Sequence, residues 1–502
     1  WFYVVACDTG TTTVQITPSA ATINHPAGTP FTVTMTQGQV YNVMGQLINN
    51  TGPVYSGVDL TGSTIQSIST GTNSCKRIAV FAGSGRIVIS CDLNAPSSDN
   101  YMVQALPKSA WGKHFLTTPT ANYSAIGGTG LPLTNNIYRI CVSDPTTNVT
   151  LNNVPIALPL QNNFYYEVAS TNQPLKIDAD QPIMVAQYLP SQSECGAASG
   201  DGDPETIYLS PVEQSINKVT WNACHNFNIK PTKNWVNVII PNAGTAISSF
   251  KLDGVTVSPA IFTTHPQDPP SSSAIIPVAG SSTGAGVTHT IESDSGFNAI
   301  AYGYGTTESY GYNAGTNVKD LYQYVSVANQ FATVTYPATC KNAPFFLSMT
   351  FPYQPIQIRW DFGGLFPNDT INNPAYDSTW VINGKQLYLY KLTSPYSIAG
   401  SGTYPIKVFA ENPTPEGCSG EQEIDYDLQV YDPPHADFNF TTTGCATDTV
   451  FFTDASTPNG RTEIKWNWNF GDSGIDSIKN TKETYLAPEA YKAKHSLITH
   501  GG

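Results

Sequence analysis

The chain has 502 residues and a formal net charge of −14, and only 12% of its side chains are charged. That charged fraction is about half the usual share, whereas 40 Gly, 37 Pro and 27 Tyr are typical of short strands joined by turns. The negative charge and the lack of a Lys/Arg run argue against nucleic acid or an anionic membrane as a partner. No apolar stretch approaches the roughly 18 residues that cross a bilayer.

Residues 1 to about 330 contain three degenerate copies of one β pattern. Each copy opens with an alternating strand, a polar turn and a second strand, and closes with a nearly all-apolar strand that we expect to be buried on both faces. The copies open at 2–7, 137–141 and 235–240 and close over 65–81, 177–186 and 291–301. Irregular spacing favours three sandwich-like β units with insertions, with a propeller-like closure as the alternative.

Two details of the first copy carry specific expectations. The strand-like runs on either side of Gly83-Ser84-Gly85 predict a hairpin with its turn at these residues. The insertion 98–106 begins with Ser-Asp and has apolar residues at helical spacing, which predicts a short helix.

An acidic loop in the second copy has three alternating carboxylates, Asp201, Asp203 and Glu205. Their side chains can converge on a hard cation such as calcium, which is the one cofactor that the sequence suggests. The spacing of an EF-hand is absent, so a solvated acidic loop is the favoured alternative.

A tract rich in Tyr and Gly ends the third copy and includes Tyr302, Tyr304, Tyr310 and Tyr312. Exposed tyrosines among small residues would form a platform that stacks on sugars or packs on protein. The favoured alternative is an ordinary closing strand whose aromatic rings are buried. The tract is the main candidate for recognition in this sequence.

Several motifs of the first 330 residues resemble the N-terminal domain of IgGFc-binding proteins. They are KRIAVFAG at 76–83, SDNY at 98–101, LP at 106–107, WGK at 111–113, GDPE at 202–205 and LSPVEQ at 209–214. The resemblance implies a secreted protein. No antibody-contact motif of the family can be assigned to residues of this sequence, so the resemblance implies no antibody binding here.

Two further β-sandwiches are expected after this region. The segment 356–364, IQIRWDFGG, resembles the core strand of PKD domains, although Gly364 replaces the turn aspartate. The segment 466–472, WNWNFGD, resembles that strand more closely, since its alternation sends Trp466, Trp468 and Phe470 to one face. We therefore expect three regions at 1–333, 334–433 and 434–502. The last sandwich is one strand short, which predicts that the chain is part of a longer polypeptide.

The combined domains resemble large secreted surface proteins of Bacteroidota, which are often exported by the type IX route and linked to adhesion or gliding motility. The first hypothesis is therefore a non-enzymatic extracellular adhesin that recognises a glycan or protein and uses PKD-like modules as spacers. The second is a structural filament or stalk without a ligand. The third is a secreted carbohydrate-active enzyme, although no pair of carboxylates is singled out for glycoside hydrolysis.

Nine cysteines without a Cys-x-x-Cys motif predict structural disulfides made in an oxidising compartment. Cys75 and Cys91 flank the predicted hairpin, so they are the best local pair. Order along the chain alone suggests three weaker pairs, which are Cys195 with Cys224, Cys340 with Cys418, and Cys7 with Cys141. The PKD resemblance implies that Cys445 pairs beyond Gly502.

Overall fold

The computed structural model describes residues 1–499 apart from 50–55, 69, 71–74, 92–96, 123–131, 193, 196–200, 225–227, 281–285, 319, 321, 330–332, 335–337, 383–384, 414–419 and 460–462. Within these ranges the chain forms strands, three 3₁₀ turns and no α-helix. The predicted all-β class with sandwich-like units in tandem is therefore confirmed. No helix in the described part of the chain is long and apolar enough to cross a membrane.

The chain divides into two compact units. The first unit is Trp1–Leu321, and the second is Tyr322–Pro413 together with Gly420–Gly502. Three copies of one strand arrangement build the first unit, and two sandwiches build the second.

The first repeat is a small sandwich of two sheets. Its strands are β1 (Phe2–Ala6), β2 (Thr11–Thr17), β3 (Phe31–Thr36), β4 (Val40–Val43), β5 (Leu47–Asn49), β6 (Ser56–Gly57), β7 (Thr64–Ile68), β8 (Ile78–Ile87) and β9 (Asp99–Gln104). One sheet has the order β4-β1-β8-β9 and the other β3-β2-β7, and β5 pairs with β6 in a separate two-stranded sheet. Alternate residues of β1 and β2, such as Val4 and Val14, are fully buried between the sheets.

The second repeat forms one seven-stranded sheet. Its strands are β10 (Gly112–Leu116), β11 (Asn136–Val142), β12 (Val149–Leu151), β13 (Val154–Pro155), β14 (Tyr165–Thr171), β15 (Lys176–Leu189) and β16 (Glu205–Tyr208). A 3₁₀ turn at Lys108–Ala110 precedes it. The second half of β15 is buried on both faces, as an all-apolar closing strand should be.

The third repeat forms an eight-stranded sheet. Its strands are β17 (Ile216–Ala223), β18 (Ile229–Pro241), β19 (Lys251–Leu252), β20 (Val255–Thr256), β21 (Thr263–His265), β22 (Asp268–Val278), β23 (Val287–Gly305) and β24 (Glu308–Gly315). The 3₁₀ turns Val212–Gln214 and Pro259–Ile261 lie before and within it.

The three repeats share a central strand that opens each copy. β1, β11 and β18 each lie between the closing strand of their copy and one further strand, with β8 and β4, β15 and β14, or β23 and β22 as neighbours. The second and third repeats also share one hydrophobic core, to which β11 contributes Tyr138 and β18 contributes Trp235. The sequence repeat therefore corresponds to a repeated topology.

Two local predictions in the first repeat are wrong. β8 continues through Gly83-Ser84-Gly85 as a single strand rather than turning there. The predicted helix at 98–106 is instead the strand β9, which pairs with β8 through Phe81↔Gln104 and Gly83↔Met102. Tyr101 on β9 packs beside β16, and contacts of this kind outweigh a weak helical pattern.

The second unit begins with a sandwich of two five-stranded sheets. Its strands are β25 (Tyr324–Ala328), β26 (Thr333–Val334), β27 (Ala338–Cys340), β28 (Phe346–Phe351), β29 (Gln357–Asp361), β30 (Asp369–Asn372), β31 (Ser378–Ile382), β32 (Lys385–Lys391), β33 (Gly402–Asn412) and β34 (Gly420–Tyr431). The sheet orders are β26-β25-β28-β32-β31 and β27-β34-β33-β29-β30. Since β25 hydrogen-bonds to β28, the second unit starts before residue 334, where the sequence placed its boundary.

The last sandwich has two three-stranded sheets. Its strands are β35 (Phe438–Thr441), β36 (Thr449–Asp454), β37 (Glu463–Asn469), β38 (Ile475–Asp476), β39 (Thr481–Thr484) and β40 (Lys494–Thr499), in the orders β35-β36-β39 and β38-β37-β40. Trp468 and Phe470 are buried in its core, as the alternation predicts. Trp466 is only half-buried and lies 5.6 Å from the ammonium group of Lys479.

Candidate functional site

The tyrosine tract does not form an exposed platform. Tyr302 and Tyr304 lie on β23 and are 0% exposed, and Tyr310 on β24 is 8% exposed. The Tyr302 hydroxyl donates to Asn237 Oδ1 and accepts from the N–H of Ala121, both at 2.8 Å. The platform prediction is therefore wrong for these three residues, because their rings and hydroxyls serve the core.

Pairing between β23 and β24 explains the alternation of Tyr and Gly. Gly303 lies opposite Tyr310, and a Cβ atom on Gly303 would come within 2.5 Å of the Tyr310 ring. The Tyr310 hydroxyl then donates to Asn234 Oδ1 at 2.8 Å. Tyr312 is half-buried, and its hydroxyl donates to the carbonyl of Asn222, while burial raises its pKa to about 12. The tract is the closing hairpin of the third repeat.

Asp201, the first carboxylate of the acidic loop, lies beside two lysines. Asp201 is buried and accepts from Lys230 Nζ at 2.5 and 2.7 Å and from Lys233 Nζ at 2.5 Å. Burial alone would raise the pKa of Asp201, but hydrogen bonds and charge from the two lysines hold it below its usual value. The carboxylate is thus neutralised by the protein itself.

Asp203 and Glu205 point to other partners. Asp203 Oδ1 accepts from the Ser97 hydroxyl at 2.6 Å, and Glu205 Oε1 accepts from the N–H of Thr206 at 2.7 Å. Among the described residues, no group of three or more His, Cys, Asp or Glu side chains is arranged to hold a metal ion. Asp201, Asp203 and Glu205 therefore do not share one ligand sphere.

Burial raises the pKa values of Asp203 and Glu205 above those of ordinary carboxyl groups. It raises the pKa of Asp203 to about 6 and that of Glu205 to about 8, and the negative charges of Asp99 and Glu308 add to both shifts. Glu205 begins β16, which packs beside β9, where Asp99 lies. A protonated carboxyl thus lies where the first and second repeats pack together.

These carboxyls predict that the first unit loses stability as the pH rises. The folded protein holds a proton on Glu205 up to about pH 8, whereas the unfolded chain releases it near 4.5, so the folded state binds more protons between these values. The stabilisation that this proton gives the folded state is complete below the unfolded-state pKa of 4.5. It is lost as the pH rises past the folded-state pKa of about 8. We expect the free energy of unfolding of the first unit to fall between about pH 5 and 8.

Chemical denaturation at a series of pH values measures this dependence. Glu205→Gln should flatten the curve, since glutamine stays neutral throughout. Glu489→Gln, at an exposed position of the second unit, is the control and should leave the curve unchanged. An equally steep curve for Glu205→Gln would contradict the assignment.

One disulfide joins the first repeat to the second. Cys91, which follows β8, is bonded to Cys195, which follows β15, across 104 positions of sequence. The fully buried Glu194 supports this junction, since its carboxylate accepts from the Ser90 hydroxyl at 2.7 Å and from the N–H of Cys91 at 3.1 Å.

Three of the predicted disulfide pairings are wrong. Cys75 is disulfide-bonded, but not to Cys91, because β8 is a ten-residue strand that separates them instead of a hairpin that joins them. Cys224 is an exposed thiol, since Cys195 is already bonded, and Cys7 and Cys141 are also thiols. Cys340 is buried on β27, and Cys418 lies outside the described residues, so their pairing stays a prediction.

A polar seam lies between the second and third repeats. Gln187 and Asn237, both buried, donate from their amide nitrogens to the carbonyl groups of Thr118 and Pro119 and to Asn136 Oδ1. The cavity beside them measures about 20 Å³, which is room for about one water molecule. The seam therefore fixes the packing of two sheets and is too small for a ligand.

The first repeat carries an apolar surface without charge, which sequence reasoning missed. No Asp, Glu, Lys or Arg occurs between Asp8 and Asp59. Five large apolar side chains in this stretch are exposed by 42–72%, and they are Ile23, Val40, Met44, Leu47 and Ile48. The gap in the charge pattern was the available signal. Exposed apolar side chains are typical of protein interaction sites where they form a contiguous patch. We call these five residues the uncharged surface.

Comparison with known proteins adds one positive finding. Two solved structures of alpha-2-macroglobulin from E. coli align over 99% of this chain, the native form at 8% identity with a TM-score of 0.12, and the form activated by porcine elastase at 10% with a TM-score of 0.14. The chain spans only 35% and 53% of those proteins, and such TM-scores establish no shared fold. No curated protein matches the chain. A family model described as IgGFc binding protein matches residues 1–303. Since the match covers more than half of its length, the chain belongs to the IgGFc-binding protein family.

Proposed function

We propose that this chain is the recognition region of a secreted cell-surface protein of adhesin type, and that its first unit binds another extracellular protein. The uncharged surface is the observation that carries the proposal. Burying Ile48, which is 72% exposed, and its apolar neighbours against a partner would be favourable, whereas leaving them in water is costly. Membership of a family described as binding proteins and the Cys91–Cys195 disulfide support an extracellular binding role.

The second unit is proposed to act as a spacer of PKD-like modules. Its support is the pair of sandwiches and the Trp468 and Phe470 core, which follow the alternation that the PKD resemblance implies. The Bacteroidota context, type IX export and a link to gliding motility are part of the same proposal and rest on that resemblance.

Two other functions remain as alternatives. A stalk without a ligand would need no uncharged surface. A glycan in place of a protein as the ligand of the first unit has less support, since the tyrosines 302, 304 and 310 that were expected to stack on sugars are buried. A secreted carbohydrate-active enzyme draws support from the raised pKa values of Asp203 and Glu205, since catalytic carboxyls are often perturbed in this way. Glu205 Oε1, however, accepts from the backbone, and Asp203 accepts from Ser97.

An array of purified extracellular proteins, mucins and glycans tests the proposal. We expect the 502-residue chain to bind a protein feature, and Ile48→Lys to weaken that binding at least about tenfold, because a charge would be buried in an apolar contact. Ile475→Lys is the matched control, since Ile475 is 77% exposed in the second unit. Binding that Ile48→Lys leaves unchanged, or an array without any bound feature, would refute the proposed function.

A further inference from the structure

The free side of β4 is a row of backbone hydrogen-bonding groups without a neighbouring strand. β4 is the edge of its sheet, and only β1 pairs with it among the described strands. The N–H of Ala6 donates to the carbonyl of Gln39 at 3.1 Å, which fixes the alternation of the ladder between β1 and β4. The N–H and C=O groups of Val40 and Asn42 therefore point to the open side.

A segment of the same chain that runs beside residues 44–46 confirms this direction and limits the length of the open edge. On the same side, the N–H of Ile23 donates to the carbonyl of Met44 at 3.0 Å. The segment 21–23 thus occupies the position of a next strand beside 44–46 but stops before β4. The open edge therefore consists of the four residues of β4, and the segment 21–23 blocks one end of it.

A cavity lies at the blocked end of the edge. It measures about 130 Å³ and is lined by residues 22–25 on one side and 41–44 on the other. The His25 ring stacks on Phe31 at 3.5 Å between centroids, and Phe31 lies 6.4 Å from the Tyr41 ring. A cavity of about 150 Å³ is enough to hold one benzene ring, so this one has room for a single side chain.

The open part of the edge carries no Lys or Pro, which are two of the features that prevent strand pairing. Natural edge strands are usually protected by Lys, Pro, a bulge or a covering element. β4 reads Val-Tyr-Asn-Val, its Val40 is 57% exposed and its Asn42 is exposed, and the uncharged stretch 9–58 surrounds it. The rest of the chain carries the net charge of −14, so this edge is where an uncharged strand can approach without electrostatic cost or gain.

We propose that β4 binds an extended, uncharged peptide segment of the partner protein, which adds as a fifth strand to the sheet β4-β1-β8-β9. Backbone hydrogen bonds to Val40 and Asn42 supply affinity, and one uncharged side chain of the peptide enters the cavity between Ile23 and Tyr41, which supplies specificity. A second copy of this chain fits less well. The β4 strand of a second copy is bounded by folded segments, and these would collide with the segment at Ile23. A flexible peptide can end or turn there.

This proposal rests on the proposed function, and its test separates the two. The probe is an end-blocked uncharged octapeptide selected from a displayed library on the immobilised 502-residue chain. Asn42→Pro removes one outward N–H and leaves the ladder to β1 intact, because proline is tolerated on the open side of an edge strand. We expect it to raise the Kd at least about tenfold, and Asn42→Ala, which keeps the backbone, to change it less than about threefold.

A second measurement needs no protein variant. N-methylation of the octapeptide at alternate positions should abolish binding in one register and spare it in the other, since only alternate groups of an added strand face β4. The Kd should also stay constant between about 50 and 500 mM salt, because no charge takes part. Equal effects of N-methylation at every position, or an equal Kd for Asn42→Pro and wild type, would overturn the proposal.

The outcomes distinguish this site from the wider function. A protein from the array that binds Asn42→Pro as well as wild type overturns strand addition and leaves the proposed function standing. Self-association of the chain that Asn42→Pro abolishes would show a second copy as the occupant and would equally overturn the peptide proposal.

Discussion

Replacing Cys91 and Cys195 together by serine is expected to lower the free energy of unfolding of the first unit by about 4–5 kcal/mol. The bond closes a loop with a sequence separation of 104, and a loop of about 100 residues loses roughly that much chain entropy in the unfolded state. The loss is large against the 5–15 kcal/mol typical of whole domains. Chemical denaturation monitored by tryptophan fluorescence gives the number.

The control for this prediction is a pair of exposed cysteines that form no disulfide. Cys7→Ser with Cys224→Ser removes two exposed cysteines and should change the free energy of unfolding by less than about 0.5 kcal/mol. A change under about 1 kcal/mol for the Cys91 and Cys195 variant would mean that the first and second repeats are held by packing alone.

Trp235→Ala is expected to cost about 3–5 kcal/mol in the unfolding of the first unit. Trp235 is 0% exposed on β18 and packs against the rings of both Tyr302 and Tyr304, with centroids 5.8 and 5.6 Å away. It belongs to the core that the second and third repeats share, so its removal leaves a cavity under both sheets. The transition of the second unit should stay where it is.

Trp380→Ala serves as the matched truncation. Trp380 lies partly exposed on β31, the edge strand of its sheet, so its loss should cost about 1 kcal/mol or less, and only in the second unit. If Trp235→Ala cost as little as Trp380→Ala, the shared core would not hold the repeats together.

Period-two alternation made much of the fold predictable. It located the central strands β1, β11 and β18, because alternation is imposed by the geometry of a strand with one buried face. The core strand of the last sandwich, β37, was predictable for the same reason. The closing strands β15 and β23 were located by nearly all-apolar runs, which are typical of strands buried on both faces.

Glycine misled the prediction of β8. Gly83 reads as a turn signal, but in the structure a Cβ atom there would lie 2.1 Å from the carbonyl oxygen of Tyr101 and 2.7 Å from the Trp1 ring. The residue is therefore small because β9 and the N-terminal ring approach closely, which is a tertiary contact that no local pattern reveals. The wrong hairpin then produced the wrong disulfide, Cys75 with Cys91.

The candidate site was less predictable than the fold. A carboxylate in a Gly-rich loop looks the same in sequence whether it meets calcium or, like Asp201, two lysines that are 29 and 32 positions away. Likewise, Tyr302 and Tyr304 are of a residue type that suits recognition, but only the packing of β23 against β18 determines their burial. The uncharged stretch 9–58 was visible in the sequence, but its exposure was not.

The most direct test of this account compares the Kd of one array-identified protein for three forms of the chain. The account predicts that Ile48→Lys, on the uncharged surface, binds at least about tenfold more weakly than wild type, and that Ile475→Lys binds as wild type does. Equal affinity of all three forms would contradict the claim that the first repeat is where this protein recognises its partner.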